Sequence, residues 1–182
     1  MNLKKTIGKI HLWLGLASGL VVFILGITGC ILAYEEEIEN WLHADKLFVQ
    51  VPGDAKPLPL GQQLKIAQDA FGEDKKVNSL YYGGNPEESV KFRTYKESND
   101  PSALWYWEES EYSLIGYIDP YTGRLLGKEN GTFSFFTVVV MVHWSLLLVN
   151  DIGQPIIGWS TVIFVFLLIT GLVLWWPKNK AA

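Results

Sequence analysis

The chain has 182 residues, of which 49% are hydrophobic and 19% are charged, and its formal net charge is −4. Its single cysteine excludes an intramolecular disulfide framework and any multi-cysteine zinc or iron–sulfur site within one chain. No Cys-x-x-Cys-His sequence is present, which excludes a covalently attached c-type haem. Charges are absent from residues 10–34 and 152–177, and this uneven distribution predicts a membrane protein.

The first apolar run covers residues 10–34 and is predicted to form transmembrane helix 1. A helix of this length rises about 37 Å, which is enough to cross a hydrocarbon core about 30 Å thick. Three lysines precede the run, so residues 1–9 are predicted to be a cytoplasmic tail. Residues 27–30 (Ile-Thr-Gly-Cys) resemble a lipobox, and lipidation of Cys30 is therefore the alternative to a free thiol in a helix.

Glycines leave one side of this first helix almost without side chains. Gly15, Gly19 and Gly26 fall within about 40° of one another on a helical wheel, and His11 lies about 60° to one side. Gly15-x-x-x-Gly19 is typical of close packing between membrane helices. The alternative is that the stripe leaves room for a flat macrocycle beside His11, and the sequence leaves both interpretations open.

The central segment, residues 35–131, is acidic. It holds 10 Lys or Arg residues and 18 Asp or Glu residues, a net charge of −8, so contact with nucleic acid or anionic lipid is not expected. Apolar residues at helical spacing predict a helix from Leu60 to Phe71, with Gly72 as its stop. One helix against a small antiparallel sheet, an α+β domain, is the expected packing. The predicted strands are 77–82, 89–96, 104–107 and 113–119, with turns at 83–86, 99–102 and 119–123.

The second apolar run, residues 132–150, carries no formal charge and contains His143. Its length alone is compatible with a membrane span. A third crossing would place Lys178 and Lys180 on the opposite side of the membrane from the N-terminal lysines. The segment is therefore predicted to be an interfacial or re-entrant helix in the outer leaflet.

The last apolar run, residues 154–176, is predicted to form transmembrane helix 2, followed by a cytoplasmic tail at 177–182. Both lysine-bearing ends then lie in the cytoplasm, and the acidic domain faces the periplasm or the exterior of a bacterial inner membrane. The expected fold class is membrane α-helical. It combines two transmembrane helices, one interfacial or re-entrant helix and an inserted extracytoplasmic α+β domain.

Several sequence motifs resemble those of the PepSY-associated transmembrane proteins and follow one another in the same order. The resemblance covers nearly the whole chain. It implies that the inserted segment is a PepSY-like domain and that the Leu-Trp-Trp-Pro end is cytoplasmic. The motifs are residues 11–20 (His-Leu-Trp-Leu-Gly-Leu-Ala-Ser-Gly-Leu) with Thr28-Gly29, residues 118–127 (Ile-Asp-Pro-Tyr-Thr-Gly-Arg-Leu-Leu-Gly), His143-Trp144, and residues 170–177 (Thr-Gly-Leu-Val-Leu-Trp-Trp-Pro).

Many members of this family have about twice this length and four helices, and some are implicated in ferric-siderophore reduction with b-type haems held by paired histidines. The resemblance implies His11 and His143 as candidate haem ligands, and the stripe of Gly15, Gly19 and Gly26 as the haem or helix-packing face. The two histidines are expected in opposite leaflets, so a homodimer would pair each with its symmetry mate. The implied function is a b-haem electron-transfer subunit, a candidate component of a ferric or ferric-chelate reductase.

A second class of function stays open. PepSY domains have been suggested to restrain peptidases, so the alternative is a non-catalytic, membrane-anchored module that binds a partner protein or peptidase. In that interpretation an aromatic cluster in the inserted domain is the binding surface. Its members are Trp105, Tyr106, Trp107 and Tyr112.

Overall fold

The computed structural model describes residues 3–53 and 55–175, and the chain divides into two compact units. The helical unit combines Met1–Ile31 with Val139–Ala182, and the α+β unit is Leu32–Val138. The predicted tail at 177–182, with Lys178 and Lys180, and Trp176 before it lie outside the described residues. In chain order the elements are α1 (Leu3–Leu32), α2 (Glu35–Leu42), α3 (Ala44–Leu47), α4 (Leu60–Phe71), β1 (Ser79–Tyr81), β2 (Val90–Glu97), a 3₁₀ helix (Tyr106–Glu109), β3 (Ser110–Ile118), β4 (Leu125–Asn130), α5 (Phe135–Ser145) and α6 (Asn150–Trp175).

Two long apolar helices, α1 and α6, dominate the helical unit. Their segments Gly8–Leu32 and Asn150–Leu172 are long and apolar enough to cross a membrane. The first apolar helix ends at Leu32, two residues before the predicted boundary, because Glu35 opens a new helix after a short turn. Three acidic residues in the first turn of α2 favour a helix start there. Helix α6 begins at Asn150, four residues before the start predicted for transmembrane helix 2.

A sharp corner separates α5 from α6. The segment predicted at 132–150 is helical only over Phe135–Ser145, about 17 Å along the axis. Leu146 and Leu147 have φ values of 55° and 67°, a left-handed conformation that side chains disfavour, so the helix stops there. The lack of a side chain at Gly153 lets α6 approach the end of α5 closely at this corner, since a Cβ at this position would overlap the carbonyl oxygen of Ser145.

The α+β unit contains one antiparallel sheet with the strand order β1-β2-β3-β4. Phe92 of β2 lies opposite Gly116 of β3, and a Cβ on that glycine would come within 3.0 Å of the Phe71 ring. The absence of a side chain at Gly116 therefore lets α4 pack closely on this face. The core of the unit consists of Ala67, Phe71, Val90, Phe92 and Ile118.

The structure confirms most of the predicted elements of this unit and corrects one. Helix α4 has the predicted bounds and ends at Gly72, whose φ is 102°. Strands β1, β2 and β3 fall within or overlap the ranges 77–82, 89–96 and 113–119. The strand predicted at 104–107 is wrong, because the Glu108 carboxylate accepts hydrogen bonds from two successive backbone N–H groups and a 3₁₀ helix follows.

The face of the sheet away from α4 carries a charged network. Lys46 Nζ donates to Glu129 Oε2 at 2.6 Å, and the Tyr117 hydroxyl donates to Glu129 Oε1 at 2.7 Å. Burial works to raise the pKa of Glu129, but the two donors outweigh it and the pKa is lowered. Burial and the hydrogen bond to Glu129 raise the pKa of Tyr117 well above its usual range. The network ties α3 to β3 and β4.

Candidate functional site

His143 on α5 has a polar partner on α1. Its Nδ1 lies 2.9 Å from Thr28 Oγ1. The Thr28 hydroxyl also lies 2.8 Å from the carbonyl oxygen of Ile24, and when it donates its one proton there, its lone pairs accept a proton from His143. This network favours the tautomer with a proton on Nδ1, which leaves Nε2 of a neutral imidazole with a free lone pair.

A glycine gives this imidazole its space. A Cβ at Gly29 would come within 3.3 Å of His143 Cε1, closer than a relaxed contact allows. Thr28 is only 8% exposed, whereas the His143 side chain is half-buried. The Thr28-Gly29 pair therefore both orients and accommodates the ring.

His11 lies toward the opposite end of α1 and faces α6. A Cβ at Gly171 would lie 3.9 Å from His11 Cε1, an ordinary contact distance. The preceding residue, Thr170, donates its hydroxyl to the carbonyl of Phe166 at 3.0 Å. His11 also lines two grooves of about 620 and 400 Å³, volumes within the range of small-molecule sites. Apart from His11 and Thr170, the larger groove is lined by Ile10, Leu14, Trp159, Val162, Ile163, Phe166, Leu167 and Ile169.

The two histidines share a local arrangement but do not meet. Each lies beside a Thr-Gly pair of another helix, Thr28-Gly29 for His143 and Thr170-Gly171 for His11. Along α1, Thr28 is 17 residues from His11, about 26 Å, so one chain does not bring both imidazoles to one metal ion. The repeated dipeptide is present in the family motifs, but sequence reasoning assigned it no role.

Of the three glycines in the stripe, Gly15 lies against a neighbouring helix within the described residues, whereas Gly19 and Gly26 do not. Gly15 makes an ordinary contact, since a Cβ there would lie 3.8 Å from Leu167 Cδ1. Around Gly19 and Gly26, no heavy atom of the described residues lies within 4 Å of the position a Cβ would take, leaving out the helix's own backbone nearby. The close packing predicted for Gly15-x-x-x-Gly19 is therefore not made by both glycines within this part of the chain.

The aromatic cluster predicted in the α+β unit does not form one surface. Tyr106 is buried and donates its hydroxyl to the carbonyl of Thr132 at 3.0 Å. The Tyr112 ring lies under Lys75, with Nζ 5.5 Å from its centroid. Trp105 and Trp107 stack on each other, with ring centroids 5.1 Å apart. Only the two tryptophans remain as a joint surface.

Two apolar helices of membrane-spanning length, with an α+β unit inserted between them in the chain, fit an integral membrane protein whose helices contact lipid. The chain belongs to the family of the PepSY-associated TM region, whose model matches residues 9–182. The resemblance inferred from the sequence motifs is thereby confirmed. A search of curated proteins finds no match.

Proposed function

We propose that this protein is a b-haem-binding electron-transfer subunit that supports reduction of ferric iron or of a ferric siderophore. The observation that carries the proposal is the 2.9 Å hydrogen bond between Thr28 Oγ1 and His143 Nδ1, which engages the ring through the nitrogen that would not bind iron. Ligating histidines commonly donate their other ring N–H to a fixed acceptor, which sets the tautomer and the ring orientation. The donor chemistry at this position therefore fits an axial ligand of haem iron.

The proposed topology has both chain ends in the cytoplasm and the 35–131 domain in the periplasm or outside a bacterial inner membrane. Lysines in both terminal tails, 1–9 and 177–182, support this orientation. The two crossings would be the predicted segments 10–34 and 154–176, which overlap helices α1 and α6. The 11 residues of α5 rise about 17 Å, less than the hydrocarbon thickness of about 30 Å, which supports an outer-leaflet segment at 132–150 and no third crossing.

A homodimer would complete the proposed sites. The axial separation of about 26 Å means that His11 and His143 serve different levels of the membrane. A twofold axis parallel to α1 pairs His11 with its mate and His143 with its mate. Gly19 and Gly26, which have no close neighbour among the described residues, offer a flat face for the second copy or for the cofactor.

The chain's own contribution is binding and orientation. When bound, haem would carry single electrons across the bilayer from a reductant on the cytoplasmic side to a ferric acceptor. His11 and His143 would supply nitrogen ligands, Thr28 would orient the His143 ring, and the apolar residues lining the groove beside His11 would exclude water. The acceptor, iron or a ferric chelate, would be reached on the side of the α+β unit.

The test is the haem spectrum of purified protein after haem-replete expression. We expect a b-type α-band in the dithionite-reduced minus oxidised spectrum of the wild type. His11→Ala and His143→Ala should each lower the haem content per chain by about half, because each removes one of the two proposed haem sites.

His43→Ala is the matched control, since His43 lies in the α+β unit outside both apolar helices, and it should keep the full spectrum. A wild type without the α-band would contradict the proposal, as would two membrane variants that retain all their haem.

The second candidate function is a membrane-anchored module that regulates a partner protein or peptidase. Strand β4, Leu125–Asn130, forms an edge of the sheet, and edge strands can accept an extended peptide as an additional strand. A photocrosslinker at Leu125, which is 40% exposed, should capture such a peptide segment in cells. Failure to capture any segment, together with a normal haem spectrum, would exclude this candidate.

A further inference from the structure

An exposed apolar surface lies on the α+β unit, separate from both histidines. Trp105 and Trp107 are stacked nearly parallel, with an interplanar angle of 4°, and Phe133 lies 6.4 Å from the Trp107 ring. Leu104 directly precedes the stack in the chain, Phe135 is two residues after Phe133, and both are more than half exposed. We name this surface the aromatic ledge, and its members are Leu104, Trp105, Trp107, Phe133 and Phe135.

Hydrogen bonds hold the chain segments that carry the aromatic ledge. The Glu108 carboxylate accepts the backbone N–H groups of Leu104 at 2.8 Å and of Trp105 at 3.0 Å. On the other side, Thr132 accepts a hydrogen bond from the Tyr106 hydroxyl at 3.0 Å and lies 3.3 Å from the Ser110 hydroxyl. Polar contacts therefore hold the chain next to Leu104 and Trp105 and the chain directly before Phe133.

The position of Phe135 in the chain favours lipid as the partner of the aromatic ledge. Phe135 is the first residue of α5, an uncharged helix, and His143 on the same helix hydrogen-bonds to Thr28 of a membrane-spanning candidate. His143 is eight positions after Phe135, which corresponds to about 12 Å along the helix. Phe135 thus belongs both to the ledge and to a helix that hydrogen-bonds to a candidate membrane span.

The chemistry of the ledge selects the part of the membrane and the kind of lipid. Tryptophan rings favour the headgroup zone, where an apolar body and a polar N–H are both accommodated. The ledge itself carries no charge, and the neighbouring Glu108 carboxylate is engaged with backbone donors. The segment 35–131 has a net charge of −8, so an anionic lipid surface would repel it.

We propose that the aromatic ledge docks into the headgroup zone of a neutral, zwitterionic phospholipid leaflet. Docking holds the α+β unit against the membrane surface independently of any haem. Its failure would leave the haem proposal standing, and loss of haem would leave the docking in place.

The test is lipid-dependent quenching of a site-specific fluorophore in the full-length protein. Cys30→Ser removes the native thiol, and bimane is attached at Leu104→Cys in phosphatidylcholine vesicles that contain a doxyl lipid labelled near the headgroup. Leu60→Cys is the matched control, because Leu60 is 54% exposed and Leu104 is 55% exposed. We expect at least threefold stronger quenching at position 104 than at position 60. Phe133→Cys, 59% exposed, provides a second probe if the first variant folds poorly.

Three results would overturn the proposal. Equal quenching at the ledge and at the control would show that the ledge faces water. A probe that is shielded from doxyl lipid, and whose emission shifts to the blue as the protein-to-lipid ratio rises, would assign the ledge to a second copy of the chain. Quenching that increases more than twofold when a third of the lipid is replaced by anionic phosphatidylglycerol would exclude the selectivity for neutral lipid.

Discussion

A single hydroxyl group on α1, that of Thr28, is the polar partner of the His143 imidazole. In Thr28→Val the side chain keeps its shape but loses its hydrogen bond with Nδ1 of the imidazole. We expect a loss of about 1 kcal/mol of stability and a mixture of imidazole tautomers in the haem-free protein. Side-chain ¹⁵N NMR of the histidines in nanodiscs would measure the tautomers.

Thr161→Val is the control for this substitution. Thr161 on α6 makes the same backward hydrogen bond, to the carbonyl of Ile157 at 2.9 Å, and is exposed. Its loss should leave the His143 resonances unchanged. Identical tautomer populations in the wild type and in the Thr28 variant would contradict the role assigned to the hydroxyl.

The candidate ligands could be predicted from the sequence, but their partners could not. His11 and His143 are the only histidines within apolar runs, which is enough to select them. Thr28 is 115 residues from His143 in the chain, and their contact depends on which helix faces face each other. Periodicity along one helix gives the direction of a side chain but not the identity of its neighbour.

Among the elements, the corner between α5 and α6 is the most demanding. Gly153→Ala places a methyl group on the carbonyl oxygen of Ser145, which is backbone and cannot rotate away. We expect a loss of about 2 kcal/mol of stability from this overpacking. Gly158→Ala, on the same helix, should stay within about 0.5 kcal/mol of the wild type, because no heavy atom of the described chain, apart from the helix's own nearby backbone, lies within 4 Å of that site. Thermal unfolding in detergent measures both, and equal midpoints would refute the close contact.

The elements that the sequence predicted best are those whose patterns are local. Helix α4 has apolar residues at helical spacing and a glycine directly after it, so both its type and its end were predictable. The strand predicted at 104–107 does not form, because the Glu108 carboxylate accepts the backbone N–H groups of Leu104 and Trp105. In a strand these groups would donate to a neighbouring strand. Strand β4 contains Gly127 and lacks clear alternation, and its pairing with β3 makes it a strand.

On the scale of the whole α+β unit, the charged network predicts acid sensitivity. The pKa of Glu129 is lower in the folded protein than its usual value of 4.5, so the folded state binds this proton less readily than the unfolded state. The stabilisation is therefore present above about pH 4.5 and is lost as the pH falls through the lowered pKa. Glu129→Gln should cost about 1 kcal/mol at neutral pH and make unfolding less dependent on pH in the acid range.

An exposed ion pair provides the comparison for this network. Lys96 and Glu111 lie 2.6 Å apart, but their side chains are 55% and 47% exposed, so solvent screens the attraction. Glu111→Gln should leave the acid limb of the stability curve unchanged when unfolding is followed by circular dichroism. An unchanged acid limb in the Glu129 variant would contradict the contribution assigned to the network.

For the whole chain, the proposed two crossings would place both ends in one compartment. Reporter fusions at Met1 and at Ala182 should both be active as cytoplasmic reporters and inactive as periplasmic ones. A reporter inserted at Gly53, in the loop before α4, should give the opposite pattern. Ends that report different compartments would exclude the even number of crossings and, with it, the proposed pairing of histidines across a twofold axis.

The two left-handed leucines at the corner have a consequence for the conformations open to the chain. Each such residue costs roughly 1 kcal/mol relative to helical backbone, so local preference favours straightening. A straightened chain would be one continuous rod from Phe135 to Trp175, about 60 Å long and twice the thickness of the lipid interior. Fully buried Ser145, seated on Gly153, opposes this straightening. The bend is therefore maintained by tertiary packing against its own backbone preference, and glycine at position 146 or 147 would relieve the opposing strain without changing the direction of the chain.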